Sequence, residues 1–376
     1  MKITFNGSPN PTLGVELELQ ILDPETMNLV GGSPRILAAS NDEHVKPELI
    51  ESTIELNTNI CPNVAAVRLE LGERIRALLA VCDELGYTVA CAGTHPFSKW
   101  AEQRITPEDR YRRLVDRCQW PARRLMIFGL HVHVGVQSGE KAIALFNSMT
   151  TCLPHLLALS ASSPFFTSAD TGLASCRVKI FESLPTAGLP YRFLNWAEFQ
   201  RLMVTLVNAN AIESVCEIWW DVRPHHNFGT VEVRVCDMPG NLQDTLAITA
   251  LIQCLVKALS DDIDQGAYQH DCHPMMVLQN KWRSCRYGLE ARLVDTYTYE
   301  AIAAKQRVEQ LVRKLRPAAE ELGCVSYLES CLDIAARPNW SERQRSIFRE
   351  TGDPKSIVRQ LTELSRVQPR SATVSP

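Results

Sequence analysis

The chain has 376 residues, which is enough for one large domain or two ordinary ones. Its composition is 45% hydrophobic and 22% charged, close to the average for soluble globular proteins. The formal net charge of -4 gives no reason to expect nucleic acid or an anionic membrane as a partner. No apolar stretch reaches the roughly 20 residues that a membrane span needs, and the N-terminal segment lacks the apolar core of a signal peptide.

The thirteen cysteines include no CxxC pair, so a structural zinc site has no local support. An odd number without paired spacing also argues against a disulfide framework. We therefore expect reduced, mostly buried thiols and a cytoplasmic protein.

The first part of the chain alternates strands with one long helix. Leu13–Leu22 alternates apolar and polar residues, a period of two that predicts a half-buried strand. A second strand is predicted at Ser52–Ile60. Val64–Leu85 carries apolar residues at helical spacing and predicts an amphipathic helix that stops at Gly86. Tyr87–Ala92 predicts a short strand.

The middle of the chain contains two more strongly alternating segments. Leu130–Gln137 (LHVHVGVQ) predicts a strand, and a helix follows at about Gly139–Ser160. Gly229–Cys236 (GTVEVRVC) predicts another strand. Further helices are predicted at Phe199–Val207 and Gly240–Ser260.

From about Val294 the pattern is helical, and the polar residues Pro369–Pro376 are expected to be disordered. The strands are separated by long, irregular connections rather than by a regular β–α alternation. This favours an α+β fold with a mostly antiparallel sheet and helices on one face. We expect a single domain over residues 1–376, with a helical C-terminal part at about 294–368 and a flexible tail.

The three strongly alternating strands each carry unusual polar residues on one face. They are Glu16 and Glu18 in the first, His131 and His133 in the second, and Glu232 and Arg234 in the third. Each pair taken alone is compatible with a solvated sheet face, the default for polar-out alternation. Together they bring carboxylates and imidazoles to one face, where like charges repel unless cations neutralise them. The pattern therefore predicts a site for hard divalent cations, with Mg²⁺ favoured when phosphates complete its shell and Mn²⁺ as an alternative.

A further acidic segment lies between the first two predicted strands. Glu48, Glu51 and Glu55 fall at i, i+3 and i+7, which is compatible with one exposed helical face. Alternatively, Glu55 belongs to the following strand and faces the same site as Glu16 and Glu18.

Other site chemistries have weaker support. The two histidines of the HVH segment invite a zinc-hydrolase interpretation, but no motif commits a third histidine to such a site. Neither GxxxxGK[ST] nor GxGxxG occurs, so a bound nucleotide would need metals and arginines such as Arg234 to hold its phosphates. No GxSxG occurs either, and no cysteine lies in a setting typical of a nucleophile.

The ordered segments GVELE, ELIESTIELNT, GLHVHVGV and GTVEVRVCD resemble the type-2 glutamate–cysteine ligase family, the bacterial carboxylate–amine ligases. More distantly, their order is similar to the glutamine synthetase catalytic domain. The resemblance extends from about Leu13 to about Asp262, and ACAGTHPF, SASSPFF and RPHHNFGT are further signs.

The resemblance implies a curved antiparallel sheet that is open on one face to ATP and substrates. It implies that ATP converts a glutamate γ-carboxylate to an acyl phosphate, which an amine then attacks. The partners would be small molecules, an amino acid carboxylate and an amine, without nucleic acid or membrane. A homodimer is expected for the class.

The resemblance also implies roles for individual residues. The implied metal ligands are Glu16, Glu18, Glu48, Glu55, His131 and Glu232. The implied catalytic residues are His131, Glu232 and Arg234. The implied ATP-binding residues are Arg234, Arg223 and Arg177, and Arg177, Arg192 and Arg223 are also candidates for binding a substrate carboxylate. His133 is expected to contact the ligands rather than a metal. Leu17 takes the place of a third acid found in GVEEE-like versions of the first motif.

Two other functions remain open from the sequence. One is a phosphotransferase of the guanidino-kinase type, which uses a similar sheet. The other is a regulatory protein that binds a metal or a nucleotide on a ligase scaffold without turnover.

Overall fold

The computed structural model of the chain describes residues 3–267 and 272–366. The strands in these residues are β1 (Leu13–Leu22), β2 (Val45–Pro47), β3 (Thr53–Asn57), β4 (Thr88–Ala90), β5 (Gly129–Gly135), β6 (Phe165–Phe166), β7 (Ala169–Asp170), β8 (Ala187–Gly188), β9 (Trp219–Trp220), β10 (Val222–His225), β11 (Thr230–Asp237), β12 (Arg292–Val294) and β13 (Ala301–Ala303). The helices are α1 (Ser33–Ala39), α2 (Val64–Leu85), α3 (Asp109–Cys118), α4 (Trp120–Arg123), α5 (Gly139–Met149), α6 (Leu153–Ser160), α7 (Cys176–Phe181), α8 (Trp196–Asn208), α9 (Leu242–Asp264), α10 (Pro274–Tyr287), α11 (Ala304–Glu321), α12 (Val325–Ala336), α13 (Trp340–Thr351) and α14 (Pro354–Ser365).

A seven-stranded sheet organises the fold. Its strand order is β10-β11-β5-β1-β3-β2, and β4 pairs with the C-terminal end of β1. Every pairing within this sheet is antiparallel. The predicted mixture of helices with an antiparallel sheet is therefore confirmed.

Helices cover the apolar face of the sheet. Leu17 and Leu19 of β1 are buried against Ile75 and Leu78 of α2 and Leu242 of α9. Full burial of each such side chain stabilises the fold by about 1.5–3 kcal/mol. Leu17 pairs with Leu130 on this face, so an acid at that position would enter the core rather than the polar site.

Helix α2 forms where the sequence predicts it because both of its ends are capped. The Asn63 side chain accepts a hydrogen bond from the Ala66 N–H, which satisfies one of the free donors of the first turn. At the other end Gly86 has φ 77°, a left-handed conformation that glycine adopts without a Cβ clash.

The predicted helix at Gly139–Ser160 is two helices rather than one. α5 ends at Met149, α6 begins at Leu153, and their axes differ by 64°. Pro154 lies in the first turn of α6, where its missing N–H costs nothing, whereas inside a continuous helix it would break a hydrogen bond.

The C-terminal part is helical from Ala304, later than the predicted start at about Val294. Residues 292–303 instead form the antiparallel pair β12–β13. The turn between them is held by the Asp295 carboxylate, which accepts hydrogen bonds from the N–H groups of Tyr297 and Thr298. The predicted tail, Pro369–Pro376, lies outside the described residues.

Helices do not occupy one face alone. Arg177 of α7 packs against Gly129, whose position in β5 shares its face with His131. α7 therefore reaches the polar face, which corrects the prediction of helices on one side only. Most of the thirteen cysteines are buried, as expected.

Within residues 3–267 and 272–366, no single helix is long and apolar enough to cross a bilayer. Only the bent pair α5–α6 meets those length and composition criteria, and only when its two helices are taken together.

Candidate active site

The register of four strands brings the predicted polar residues together on one face. Glu16 of β1 pairs with His131 of β5, and Glu18 pairs with Glu55 of β3. On the other side of β5, Glu232 of β11 pairs with His133. Neighbouring side chains on one sheet face lie within reach of each other, so these pairs form a continuous polar row.

The first group in this row consists of Glu16, His131 and Glu232. Each offers one ligand atom, and these atoms lie within 4.8 Å of one another. Nδ1 of His131 lies 3.2 Å from Glu16 Oε2. We call this group the first cluster. It contains three of the six predicted metal ligands.

His133 lies beside the first cluster. Its Nε2 lies 3.2 Å from Glu16 Oε1, and its Nδ1 lies 3.0 Å from the Thr230 hydroxyl. Burial lowers the pKa of His133, but the carboxylates of Glu232 and Glu16 outweigh this effect and raise it overall. For the carboxyl group of Glu16, burial has the opposite effect and raises the pKa. The charge of His133 and hydrogen bonds from both imidazoles outweigh burial and bring this pKa below its usual range.

His131 differs from His133 in the direction of its pKa shift. Burial, together with the charge of Arg234, lowers the pKa of His131. Its Nε2 is buried without a hydrogen-bond partner within the described residues, 3.8 Å from Glu18 Oε1. A neutral imidazole with an unpartnered ring nitrogen is the state that binds a cation.

Glu232 is fully buried and takes its counter-charges from two arginines. Arg223 of β10 and Arg234 both form ion pairs with its carboxylate. Burial raises the pKa of Glu232, but these two arginines outweigh that effect and hold it well below its usual range. Glu232 therefore remains ionised inside the protein.

β11 contains a bulge at Arg234. The register shifts between Val233 and Cys236. At this point the N–H groups of Arg234 and Val235 both donate to the Asp221 carbonyl, at 2.8 and 3.1 Å. A bulge of this kind bends the strand and redirects the side chain of an extra residue.

The second group consists of Glu18, Glu48 and Glu55, whose ligand oxygens also lie within 4.8 Å of one another. We call it the second cluster. Glu55 belongs to β3 and Glu48 to the loop after β2, so the helical interpretation of this acidic segment is wrong. Glu51 is not in the cluster, and its side chain lies beside Gly31.

The second cluster has few counter-charges of its own. Burial and the neighbouring Glu18 carboxylate raise the pKa of Glu48 to about 7. Burial and Glu48 raise the pKa of Glu55 well above its usual range. Three carboxyl groups this close retain a proton, and a divalent cation would replace it.

The remaining predicted arginines lie at different distances from the clusters. Arg223 reaches the first cluster, but its Nη1 also donates to the carbonyls of Cys216 and Ile218, at 2.9 Å. Arg177 is 2% exposed and donates to the Arg234 carbonyl at 3.3 and 3.4 Å. Arg192 is exposed in the segment before α8.

Two residues that the sequence interpretation missed hold the predicted ligands in place. Asn57 donates to Glu55 Oε1 at 2.8 Å, and Thr230 contacts His133. Both lie two positions from a predicted ligand on the same strand, so the period of two was a usable signal. Tyr111 of α3 donates to the Pro47 carbonyl at 3.0 Å beside Glu48, and no sequence pattern indicated that contact.

The sequence model of glutamate–cysteine ligase family 2 matches residues 12–358. A protein of Gloeobacter violaceus, provisionally named glutamate–cysteine ligase 2, is 46% identical over 367 residues, covering 96% of this chain and 98% of its own. A protein of Frankia alni, provisionally named glutamate–cysteine ligase 2-1, is 42% identical over 371 residues, covering 96% and 97%.

Two solved structures share the fold at low sequence identity. Glutamate–cysteine ligase from Francisella tularensis, in complex with AMP, has a TM-score of 0.66 at 15% identity, covering 96% of this chain and 89% of that chain. A bifunctional glutathione synthetase from Pasteurella multocida has a TM-score of 0.65 at 14% identity, covering 94% and 51%. At 40% identity and above over nearly the whole length, the sequence relatives decide the family. This chain belongs to glutamate–cysteine ligase family 2 and is a carboxylate–amine ligase.

Proposed function

We propose that the protein uses ATP to join an amino acid carboxylate to an amine through an acyl phosphate. The product is a γ-glutamyl amide, and the protein has weak glutamate–cysteine ligase activity. The observation that carries this proposal is the pair of adjacent clusters, with Arg234 beside the first. A carboxylate is a poor electrophile, and phosphorylation supplies the leaving group. Such a reaction needs positioning and charge neutralisation rather than a protein nucleophile.

The proposed cofactor is Mg²⁺, with Mn²⁺ as the alternative. Glu16, His131 and Glu232 would hold one ion, and Glu18, Glu48 and Glu55 would hold another. The donor sets fit, because they are rich in carboxylate oxygen and include the unpartnered Nε2 of His131. When bound, such ions neutralise phosphate charge and favour transfer of the phosphoryl group.

The protein's own groups would bind and orient the nucleotide. Arg234 is held through Nη1 by Glu232, and its Nη2 makes no hydrogen bond within the described residues. That nitrogen is available to a phosphate oxygen in a charge-assisted hydrogen bond. Arg223 and Arg177 would act mainly by fixing Glu232 and the backbone of Arg234, and direct contact with the nucleotide is proposed for Arg234.

The proposal extends to the shape of the sheet, the domain organisation, the assembly and the location of the protein. We propose a curved sheet of the glutamine synthetase catalytic-domain type, one domain over residues 1–376, a homodimer and a cytoplasmic location. The AMP bound to the Francisella enzyme supports a nucleotide as substrate here, since the folds are similar. Family membership favours the ligase over the guanidino kinase and over the regulator without turnover.

The test is ADP release by the purified protein supplied with ATP, glutamate and either cysteine or a panel of other amines. We expect release that requires Mg²⁺ or Mn²⁺, stops with EDTA, and is accompanied by an amide of the acid and the amine in the mass spectrum. Reactions lacking the amine serve as the control. A phosphorylated guanidine as product, or no ADP above background with the whole panel, would contradict the proposal.

A further inference from the structure

Two stacked aromatic rings lie at the edge of the polar face, next to the first cluster. His225 ends β10, and Phe228 lies in the turn before β11. Their ring centroids are 4.2 Å apart and their planes differ by 13°. We call these two rings the aromatic shelf. Phe228 is 62% exposed, so the ring face that does not stack on His225 is open to solvent.

The shelf is held by a rigid turn. Gly229 has φ 66°, and a Cβ there would lie 1.7 Å from the Asn6 carbonyl oxygen, so only glycine fits. The Asn6 N–H donates to the His226 carbonyl at 2.9 Å, and the Asn6 side chain donates to the Asn227 carbonyl at 3.0 Å. These contacts fasten the turn to the N-terminal segment. An exposed aromatic ring on a fixed backbone loses little entropy when a ligand stacks on it.

The shelf contacts the site through His133. Its ring lies edge-on to both shelf rings, with centroids 5.4 Å from His225 and 5.6 Å from Phe228. The same imidazole lies 3.2 Å from Glu16 and 3.8 Å from Glu232. One ring therefore separates the shelf from the first cluster, whereas the second cluster lies on the other side of β1.

We propose that the aromatic shelf binds the purine ring of ATP by stacking on Phe228; this assignment rests on the proposed function. The first cluster and Arg234 form the positively charged end of the site once cations are present, so the polyphosphate belongs there. The ribose joins the base to the polyphosphate. The base would therefore lie beside the first cluster on the polar face of the sheet, where the aromatic shelf is found. Aromatic rings bind nucleobases by stacking on their π-faces.

The other candidate for the shelf is an apolar side chain of the amine substrate. The amine must reach the carbonyl carbon of the acyl phosphate, which forms where the γ-phosphate is transferred. The second cluster lies across β1 from the shelf, and a cation held by its three carboxylates would bind the acid substrate. A shelf adjoining only the first cluster is placed for the nucleotide rather than for the amine.

The experiment compares Phe228→Ala and Phe228→Tyr with the wild type. For Phe228→Ala we expect KM for ATP to rise roughly tenfold or more, with KM for both amino acids unchanged, because stacking on one ring typically contributes that much. Phe228→Tyr keeps a ring and should keep the wild-type KM. Inorganic tripolyphosphate has no base, so its inhibition constant should be the same for all three proteins. Tyr191→Ala, which removes another exposed ring, is the matched control.

The outcomes separate this inference from the proposed function. Ligation by Phe228→Ala with an unchanged KM for ATP would overturn the assignment of the purine to the shelf. It would not contradict the proposed ligase activity. A rise in KM for the amine alone would assign the shelf to the amine and also overturn the proposal. If no protein releases ADP, titration with a fluorescent ATP analogue still tests the shelf, and equal affinity of the wild type and Phe228→Ala would overturn it.

Discussion

The two clusters of carboxylates solve the same electrostatic problem in different ways. In the first cluster, Arg223 and Arg234 neutralise Glu232, and the two histidines hydrogen bond to Glu16. In the second cluster the carboxyl groups of Glu48 and Glu55 interact mainly with each other, and the pKa of both is raised. The second cluster is therefore the part of the site whose carboxylates would gain most from the proposed cation.

Glu48 makes a contribution to stability that depends on pH. Burial and Glu18 raise this pKa from 4.5 to about 7 in the folded protein. Between these values the folded state binds more protons than the unfolded state, so without Mg²⁺ stability falls as pH rises from 4.5 to 7. Above pH 7 the full penalty for ionisation is present.

Glu48→Gln removes that penalty and a proposed metal ligand together. At pH 8 without metal we expect the free energy of unfolding to rise by up to about 3.5 kcal/mol, since the shift from 4.5 to about 7 is about 2.5 pKa units at about 1.4 kcal/mol each. Urea unfolding measures this change. We expect ligase turnover to fall by at least about 100-fold, because a proposed metal ligand is lost.

The matched control for Glu48→Gln is Glu51→Gln, which lies outside both clusters and should leave turnover and the free energy of unfolding near the wild-type values. A Glu48→Gln variant that is less stable than the wild type at pH 8, or that retains full turnover, would contradict the role given to the second cluster.

At the scale of elements, a buried lysine links α10 to the bulge that carries Arg234. Lys281 of α10 is fully buried and forms ion pairs with Glu182, just after α7, and with Asp221, between β9 and β10. The Asp221 carbonyl accepts the N–H groups of Arg234 and Val235. This ion pair therefore fixes the backbone that directs Arg234 to Glu232.

Lys281→Met should destabilise the protein because it leaves the buried Asp221 carboxylate without its ion-pair partner. We expect the free energy of unfolding to fall by about 3–5 kcal/mol, measured by urea unfolding at pH 7. Adding Asp221→Asn to this variant removes the uncompensated charge and should recover most of the loss. A loss below about 1 kcal/mol for the single variant, which is the range of exposed ion pairs, would contradict the assignment.

Element boundaries were predictable wherever the signal is local. β1 and α2 have the predicted bounds, because period-two alternation and helix caps act within a few neighbouring residues. The break between α5 and α6 was missed, although Thr150 and Thr151 lie in it and Pro154 follows it. The bulge at Arg234 was also missed, since it depends on the carbonyl of Asp221, which lies between β9 and β10.

For the whole molecule, the C-terminal helices are attached to the sheet and its flanking loops by buried contacts. The Trp340 indole donates to Asp244 of α9 at 2.7 Å, and Gln344 donates to the Ser162 carbonyl at 2.7 Å. At the end of α14 the Ser365 hydroxyl accepts the Cys91 N–H at 2.9 Å. These contacts join residues 96 to 274 positions apart in sequence and support one cooperative unit.

We expect one calorimetric unfolding transition for the intact chain, as the single-domain proposal requires. A variant that ends at Asp353, and so lacks α14, should unfold in one transition at a lower temperature, because Ile357 and Leu361 leave the core. Arg366→Ala removes only an exposed ion pair with Asp83 and is the control, with little change in Tm. Two separate transitions in the intact chain would contradict a single domain.

The amino-acid sequence by itself determined which residues share a face. Alternation assigned Glu16, His131 and Glu232 to polar positions, and all six predicted ligands lie in the two clusters. Only the tertiary structure decided how these six divide into two groups, because strand register and the loop that carries Glu48 depend on pairing between distant segments. The structure alone also decided the neighbours of Phe228, since the turn that holds it is fastened to Asn6, more than half the chain away.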